Sequence, residues 1–217
     1  MINLKNVTKK FGALSVLDCV NLDIDDAKKV LIIGQNGAGK TTLMKTILGE
    51  ILLNSGEVLI NGVDPAKDRK KALSYISFVP QNPPPLKLSV GELCWLSISS
   101  SGSNLDDITA YLKALNLDFD KEDKKPFYKL SGGMKQKILI AIALARNGDI
   151  LMFDEPTANL DPEARECFLN LLSDKFKEKT IIFISHRLSE VKGIVECVVE
   201  MDLGRITSIK DLSKEDR

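Results

Sequence analysis

The sequence predicts an α/β fold with a parallel-sheet core, an antiparallel β lobe and an α-helical subdomain inserted at about residues 82 to 147 of a single domain, 1–217. Three observations lead there. "KKVLIIG" at 28–34, "DILMFD" at 149–154 and "KTIIFISH" at 179–186 are apolar runs ending in a glycine, a carboxylate and a histidine. Strands buried on both faces read this way, with functional residues at their C-terminal ends. "INLKNVT" alternates as a half-buried strand does, and "GEVLINGV" at 56–63 reads as a strand entering a turn at Asn61-Gly62. From Asn82 to Asn147 the pattern turns helical.

The elements follow in order. A glycine-rich segment after the first apolar run opens a helix over Thr41 to Leu48, and "ISFV" at 76–79 is a short strand before Gln81 and "NPPP". Ser89-x-x-Glu92 forms a capping box, and Ile108, Leu112 and Leu115 share a helical face. The serines within 97–103 and "DFDKEDKK" at 118–125 are polar loops. "LSGGMKQK" at 130–137 leads into an apolar helix, and Asp161 before Pro162 is an N-cap followed by a first helical position, with the helix running to Lys177. Strand alternating with helix is the pattern of a parallel α/β core.

A chain of 217 residues can bury about 70% of its unfolded surface and needs no staples. Thirty basic and thirty acidic residues cancel, so the overall charge offers no footprint for nucleic acid and any phosphate binding must be local. Cys19, Cys94, Cys167 and Cys197 are scattered with no C-x-x-C pair, which argues against a metal site or a disulfide framework. The longest apolar runs, such as "ILIAIALA" at 138–145, fall far short of a bilayer's thickness, so the expectation is a soluble, intracellular chain.

The chemistry begins at "GQNGAGKTT", Gly34 to Thr42, which fits G-x-x-x-x-G-K-[ST] between a strand and a helix. Its glycines let backbone N–H groups face a β-phosphate. Lys40 reaches β- and γ-oxygens, and Thr41 is a ligand for Mg²⁺. Gly34, Asn36, Gly37, Ala38, Gly39, Lys40, Thr41 and Thr42 make up this cradle. Asp154 ends a buried strand as a metal anchor does, and Glu155 beside it is placed to orient or deprotonate an attacking water, although an isolated "DE" can equally cap a loop. His186, the only histidine, stands past a strand on the edge where ligands of parallel sheets collect; it is either an ordinary surface residue or a hydrogen-bond partner of the γ-phosphate or water, with Ser185 as a neighbour. Gln81 is either a plain loop amide or a group that touches Mg²⁺ and water together.

In this order the pieces resemble the ATP-binding cassette (ABC) ATPase family, over nearly the whole chain. "LSGGMKQ" is similar to the family signature, Phe11 to the aromatic residue that stacks on adenine, and Gln81 to the glutamine loop. Asp154 and Glu155 resemble the Walker B pair, "ANLD" at 158–161 the loop that touches a partner's site, and His186 the switch histidine. The resemblance implies a P-loop NTPase core carrying the ABC ATPase fold, with ATP and Mg²⁺ as ligands. It implies catalytic roles for Glu155, His186, Gln81 and Lys40, and Mg²⁺ held by Thr41, Gln81 and Asp154. In the family two cassettes pack head to tail, so Ser131, Gly132 and Gly133 of one copy would cover the ATP on the cradle of the other. The physics of a capped helix end with bare glycine N–H groups agrees. Met134 stands where glutamine is common and Asn159 where a small residue is usual, and Phe11 lacks a hydroxyl that stacking does not need.

The implied function is the ATP-hydrolysing subunit of an ABC transporter. It pairs with a second ABC subunit, a homodimer by expectation, beneath separate transmembrane permease subunits, and is cytoplasmic and peripheral on the inner face of the membrane. The "LSGGMKQ" wording and the lack of an appended regulatory domain resemble single-cassette exporters more than nutrient importers. The alternative is a soluble ABC ATPase acting on nucleic acid or ribosomes; no coiled coil or second cassette is present to favour it, and neutral charge argues the same way. An unrelated small kinase or GTPase would lack a use for the Ser-Gly-Gly helix, and the Asn-Lys-x-Asp pattern of guanine readers is missing.

Overall fold

A computed structural model describes residues 1–186, 188–191 and 193–212, so the last five residues of the expected 1–217 domain lie outside the described residues. The chain forms two compact units, one of residues 1–76 with 178–217 and one of residues 77–177.

The first unit holds an antiparallel sheet of β1 (Ile2–Phe11), β2 (Leu14–Ile24) and β4 (Ser55–Ile60) in the order β2-β1-β4. It also holds β3 (Lys29–Gly34), β7 (Thr180–Ile184), β8 (Cys197–Asp202) and β9 (Arg205–Asp211), in the order β7-β3-β8-β9. β3 runs parallel to β7 and to β8, and β9 closes antiparallel on β8. Every residue of β7 is buried, as its unbroken apolar sequence requires. α1 (Lys40–Ile47) follows β3, and the short α2 (Arg69–Ser74) lies near the end of the unit's first segment. Asn61 and Gly62 both take positive φ, at 47° and 77°, and Ile60 and Val63 exchange backbone hydrogen bonds of 2.8 and 2.9 Å across them. This is the primed two-residue turn that the dipeptide predicts.

β1 and β4 show in the sequence pattern but β2 does not, for a physical reason. Cys19, with φ of 54°, sits in a bulge of β2 that shifts its alternation by one residue, beside a bulge of β1 at Asn6, with φ of 49°. The inward positions become Leu17, Val20, Leu22 and Ile24, an uneven spacing that hides the period of two. The bulges are tied together: Asn6 N donates to Asn21 Oδ1 at 2.9 Å and Asn21 Nδ2 returns a bond to Asn6 Oδ1 at 3.2 Å.

The second unit contains most of β5 (Ile76–Val79), β6 (Ile150–Asp154), and helices α3 (Val90–Ser101), α4 (Leu105–Ala114), α5 (Phe119–Glu122), α6 (Gly132–Arg146) and α7 (Pro162–Lys175). β5 and β6 are neighbours, and Gly148 N donates to the buried Ser77 Oγ at 3.1 Å. α3 to α6 fall within the 82–147 span. α3 begins with the predicted capping box: Ser89 Oγ accepts from Glu92 N at 3.2 Å while Ser89 N donates to Glu92 Oε2 at 2.7 Å. Ile108 and Leu112 of α4 and Leu115 after it are fully buried. A cluster of Val90, Leu93, Ile108, Leu112, Phe127 and Ile138 packs α3, α4 and α6 together.

Phe127 stands in that cluster at 0% exposure. Phe127→Ala should therefore lower stability by about 3–5 kcal/mol, the cost of a large core truncation. Urea denaturation followed by far-ultraviolet circular dichroism should show the midpoint fall with the slope unchanged.

Candidate functional site

In the first unit the glycine segment joins β3 to α1. Gly39 caps α1 with a φ of 99°, and Lys40 begins the helix with 7% of its surface exposed. The Lys40 ammonium folds back over the loop, donating to the carbonyls of Gly34 at 2.8 Å and Gln35 at 3.0 Å. Ala38 is buried and donates its N–H to Gln35 O at 3.1 Å, whereas Asn36, Gly37 and Thr41 are exposed and Thr42 is half-buried. Gly34 and Gly39 are required by contact: a Cβ would lie 2.2 Å from Met201 O at the first and 2.7 Å from Val16 O at the second. The result is a cradle of bare backbone around a positive side chain.

The C-terminal edge of the same sheet carries His186. β7 pairs with β3 as far as Ile32↔Ile184, and Ser185 N donates to Ile32 O at 3.4 Å. The exposed His186 therefore leaves the sheet on the edge from which the glycine loop springs. Phe11 ends β1 with half its surface exposed, and Lys9 Nζ lies 4.9 Å from its ring centre. β2, which begins just after the Phe11–Leu14 turn, supplies the Val16 carbonyl that touches Gly39.

In the second unit Gln81 is exposed beyond β5, and β6 delivers Asp154 and Glu155 at its end, with 5% and 9% exposure. Glu155 takes a φ of 48°. A residue with a Cβ held in that region costs about 1–3 kcal/mol, and such strain gathers at functional sites. The following loop folds on itself through Ala158 N to Glu155 O at 3.3 Å and Leu160 N to Thr157 O at 3.2 Å, and ends at Asp161, whose carboxylate caps α7 by accepting from Ala164 N at 2.8 Å.

That loop rests on the start of α6. Ser131 caps α6 by accepting from Met134 N at 3.2 Å. A Cβ on Gly133 would stand 2.7 Å from the Asn159 carbonyl, and one on Gly132 would stand 3.7 Å from Asn159 Oδ1. Lys137, on the second turn of α6, reaches Asp161 Oδ2 at 2.8 Å. The sequence reading treats the glycines of "LSGGMKQ" only as openings for a phosphate; the structure adds that Gly133 makes room for the Asn159 backbone. Lys137 escapes a sequence reading because its partner lies on another element. Asp161 carries a signal as an N-cap, but none as half of an ion pair.

The helix ends differ in charge. α3, α4 and α7 carry Glu92, Asp106 with Asp107, and Glu163 in their first turns and α2 is capped by Asp68, whereas α1 and α6 carry no acidic residue at the cap or in the first turn. An acidic group near a helix N-terminus stabilises it by about 0.3–1 kcal/mol. α1 and α6 forgo that stabilisation.

A parallel strand running through a bare glycine loop into a helix that starts with Lys40 defines a phosphate-loop nucleotide-binding protein. The comparisons narrow the class. The family model described as "ABC transporter" matches residues 17–158. The chain is 32% identical over 209 residues to the tungstate uptake system ATP-binding protein TupC of Peptoclostridium acidaminophilum, covering 94% of this chain and 96% of that one. It is 32% identical over 216 residues to the lantibiotic transport ATP-binding protein SrtF of Streptococcus pyogenes, covering 97% and 91%. Among solved structures, an ATP-binding subunit of an ABC transporter superposes with a TM-score of 0.89 at 26% identity, over 98% of this chain and 90% of that one. A dimeric ATP-binding cassette in a post-hydrolysis state with ADP and Pi gives 0.84 at 28% identity, over 98% and 99%. This chain belongs to the ABC transporter family and is an ATP-binding, ATP-hydrolysing cassette with the ABC ATPase fold.

The pair between Lys137 and Asp161 makes a pH prediction. Its hydrogen bond from Lys137, followed by that from the Ala164 N–H, holds the Asp161 carboxyl below the usual aspartate value. A depressed folded pKa stabilises the protein above the unfolded value, about 4 for aspartate, and that stability is lost as pH falls through the folded pKa. Asp161→Asn keeps the cap and removes the charge. Its urea midpoint should lie below that of the natural protein at pH 7, and the gap should close in acid below about pH 4.

Proposed function

We propose that this chain is the motor subunit of an ABC transporter, closing with a second ABC subunit around two Mg-ATP and driving separate membrane subunits. The observation that carries the reading is the presence of two uncompensated helix ends. One lies behind the Lys40 loop, and the other, at Ser131 to Gly133, belongs to a unit that carries the Glu155 carboxylate on strained backbone. In a head-to-tail pair, ATP on one cradle meets the Ser131 end of the neighbour, so nucleotide holds the pair closed and hydrolysis releases it. The dimeric cassettes among the structural relatives support this arrangement.

Each residue has a part in the proposal. Phe11 stacks on adenine with its exposed ring, and the N–H groups of the Gly34 to Thr42 segment surround the phosphates. Lys40 exchanges its two loop carbonyls for phosphate oxygens. Among the described residues no three His, Cys, Asp or Glu side chains form a metal cage. Mg²⁺ is commonly held by one or two carboxylates together with substrate phosphates, and Thr41, Asp154 and Gln81 fit that donor set. Once bound, the ion neutralises charge on the phosphate oxygens. Glu155 orients and deprotonates the attacking water, and His186 donates to the γ-phosphate or holds that water.

No helix among the described residues is long and apolar enough to cross a membrane, and we assign the membrane contact to partner subunits. Trp95 and Leu96 of α3, 69% and 51% exposed in the unit that also carries Gln81, offer an apolar seat for a cytoplasmic helix of such a partner. The names of the relatives include an uptake system and a flippase, so similarity to them carries no direction, and the export reading rests on the "LSGGMKQ" wording.

Glu155→Gln should keep ATP binding, lose about 10²- to 10⁴-fold in hydrolysis and accumulate an ATP-bound dimer. Phosphate release and size-exclusion chromatography check both, and hydrolysis at the natural rate would remove Glu155 from the mechanism. Ser131→Arg should leave ATP binding to the monomer intact and abolish ATP-driven dimerisation, because bulk and charge would occupy the helix end. A dimer that forms as before would refute that placement.

A further inference from the structure

We propose that Gly204, in the turn between β8 and β9, is a positioning residue for the phosphate loop that aims the Gly39 amide into the cradle. This rests on reading the loop as the ATP site. Gly204 N donates to Ala38 O at 3.1 Å. A trans peptide is planar, so its carbonyl and its N–H point in opposite directions. Anchoring the Ala38 carbonyl to the β8–β9 turn therefore turns the Gly39 N–H away from that turn, toward the side the loop encloses.

The anchor is itself fixed. Gly204 uses its second polar group to accept from Asp18 N at 2.9 Å, so both its N–H and its carbonyl are committed, one to the loop and one to β2. Its φ is 79°, and a Cβ would lie 2.5 Å from the Val16 carbonyl. Val16 O is the same atom that a Cβ on Gly39 would strike at 2.7 Å, and the Gly204 Cα lies 3.6 Å from that Cβ position. Arg205 Nε locks the turn to β2 through Asp18 Oδ2 at 2.8 Å. The hairpin also holds the other end of the loop, since the Met201 carbonyl sits where a Cβ on Gly34 would be.

One hairpin thus grips the loop at its entry and at its last turn, and β2 connects that grip to the segment bearing Phe11. Neighbouring Leu203 has 80% of its surface exposed and serves as a control.

The test uses the full chain, MgATP titrations and amide spectra of ¹⁵N-labelled protein. Gly204→Ala should raise the MgATP dissociation constant at least about tenfold, and without ligand it should move the Gly39 resonance while leaving those of α3 and α4 in place. Leu203→Gly should bind MgATP within about twofold of the natural protein. A folded Gly204→Ala with natural affinity and an unmoved Gly39 resonance would overturn the proposal. Should that variant not fold, titration of the natural protein decides: the Gly204 and Gly39 amides should shift together with one midpoint, and a Gly204 amide that stays fixed while Gly39 moves overturns the proposal. Failure of the underlying reading looks different, because the natural protein would then bind no MgATP, or Lys40→Ala would bind it equally well; either result removes both.

Discussion

Backbone pressed directly against backbone, with no side chain between, sets both turns that face the proposed nucleotides. In the first unit Met201 O and Val16 O occupy the places where side chains on Gly34 and Gly39 would begin, and in the second Asn159 O occupies that of Gly133. Interiors are close-packed and transmit small displacements, so such contacts leave a loop little freedom to relax. The elements that impose them are remote in sequence. The loop at 34–39 takes its shape from β2 and from the β8–β9 hairpin near the far end of the chain.

Charge is distributed to suit. An ammonium left to itself in a half-buried loop would be costly, and Lys40 is instead satisfied by two carbonyls at 2.8 and 3.0 Å. A phosphate oxygen is a stronger acceptor than a neutral carbonyl, in line with the role proposed for Lys40. The lack of acidic residues at the starts of α1 and α6 works in the same direction, since a local carboxylate would compete with the proposed phosphate for the same N–H groups.

The second unit ties recognition to the end of β6. The loop that follows Glu155 lies on Gly132 and Gly133 through Asn159 and is pinned to α6 by the pair between Asp161 and Lys137. Because Asp161 also caps α7, three elements meet at one carboxylate. The α6 N-terminus and the loop after Glu155 are thus in direct contact. This gives a physical basis for communication between a phosphate proposed to meet Ser131 and the carboxylate proposed to act on water.

By itself the sequence determined the elements whose signals are local. The unbroken apolar runs of β3, β6 and β7, the Ser89–Glu92 capping box, the Asn61-Gly62 turn and the Gly34 to Thr42 segment each announce themselves within a few residues, because burial, capping and turn geometry act at short range. Lys40, Asp154 and Glu155 were singled out by such local signals, whereas Phe11 was singled out only through resemblance to the family. β2 was not legible, since the bulge at Cys19 breaks its alternation. Tertiary structure alone decided that Gly133 yields to Asn159, that Lys137 pairs with Asp161 and that Gly204 holds Ala38. These contacts join atoms far apart along the chain, and one residue's spacing to its neighbours carries no information about which distant backbone will come to rest against it.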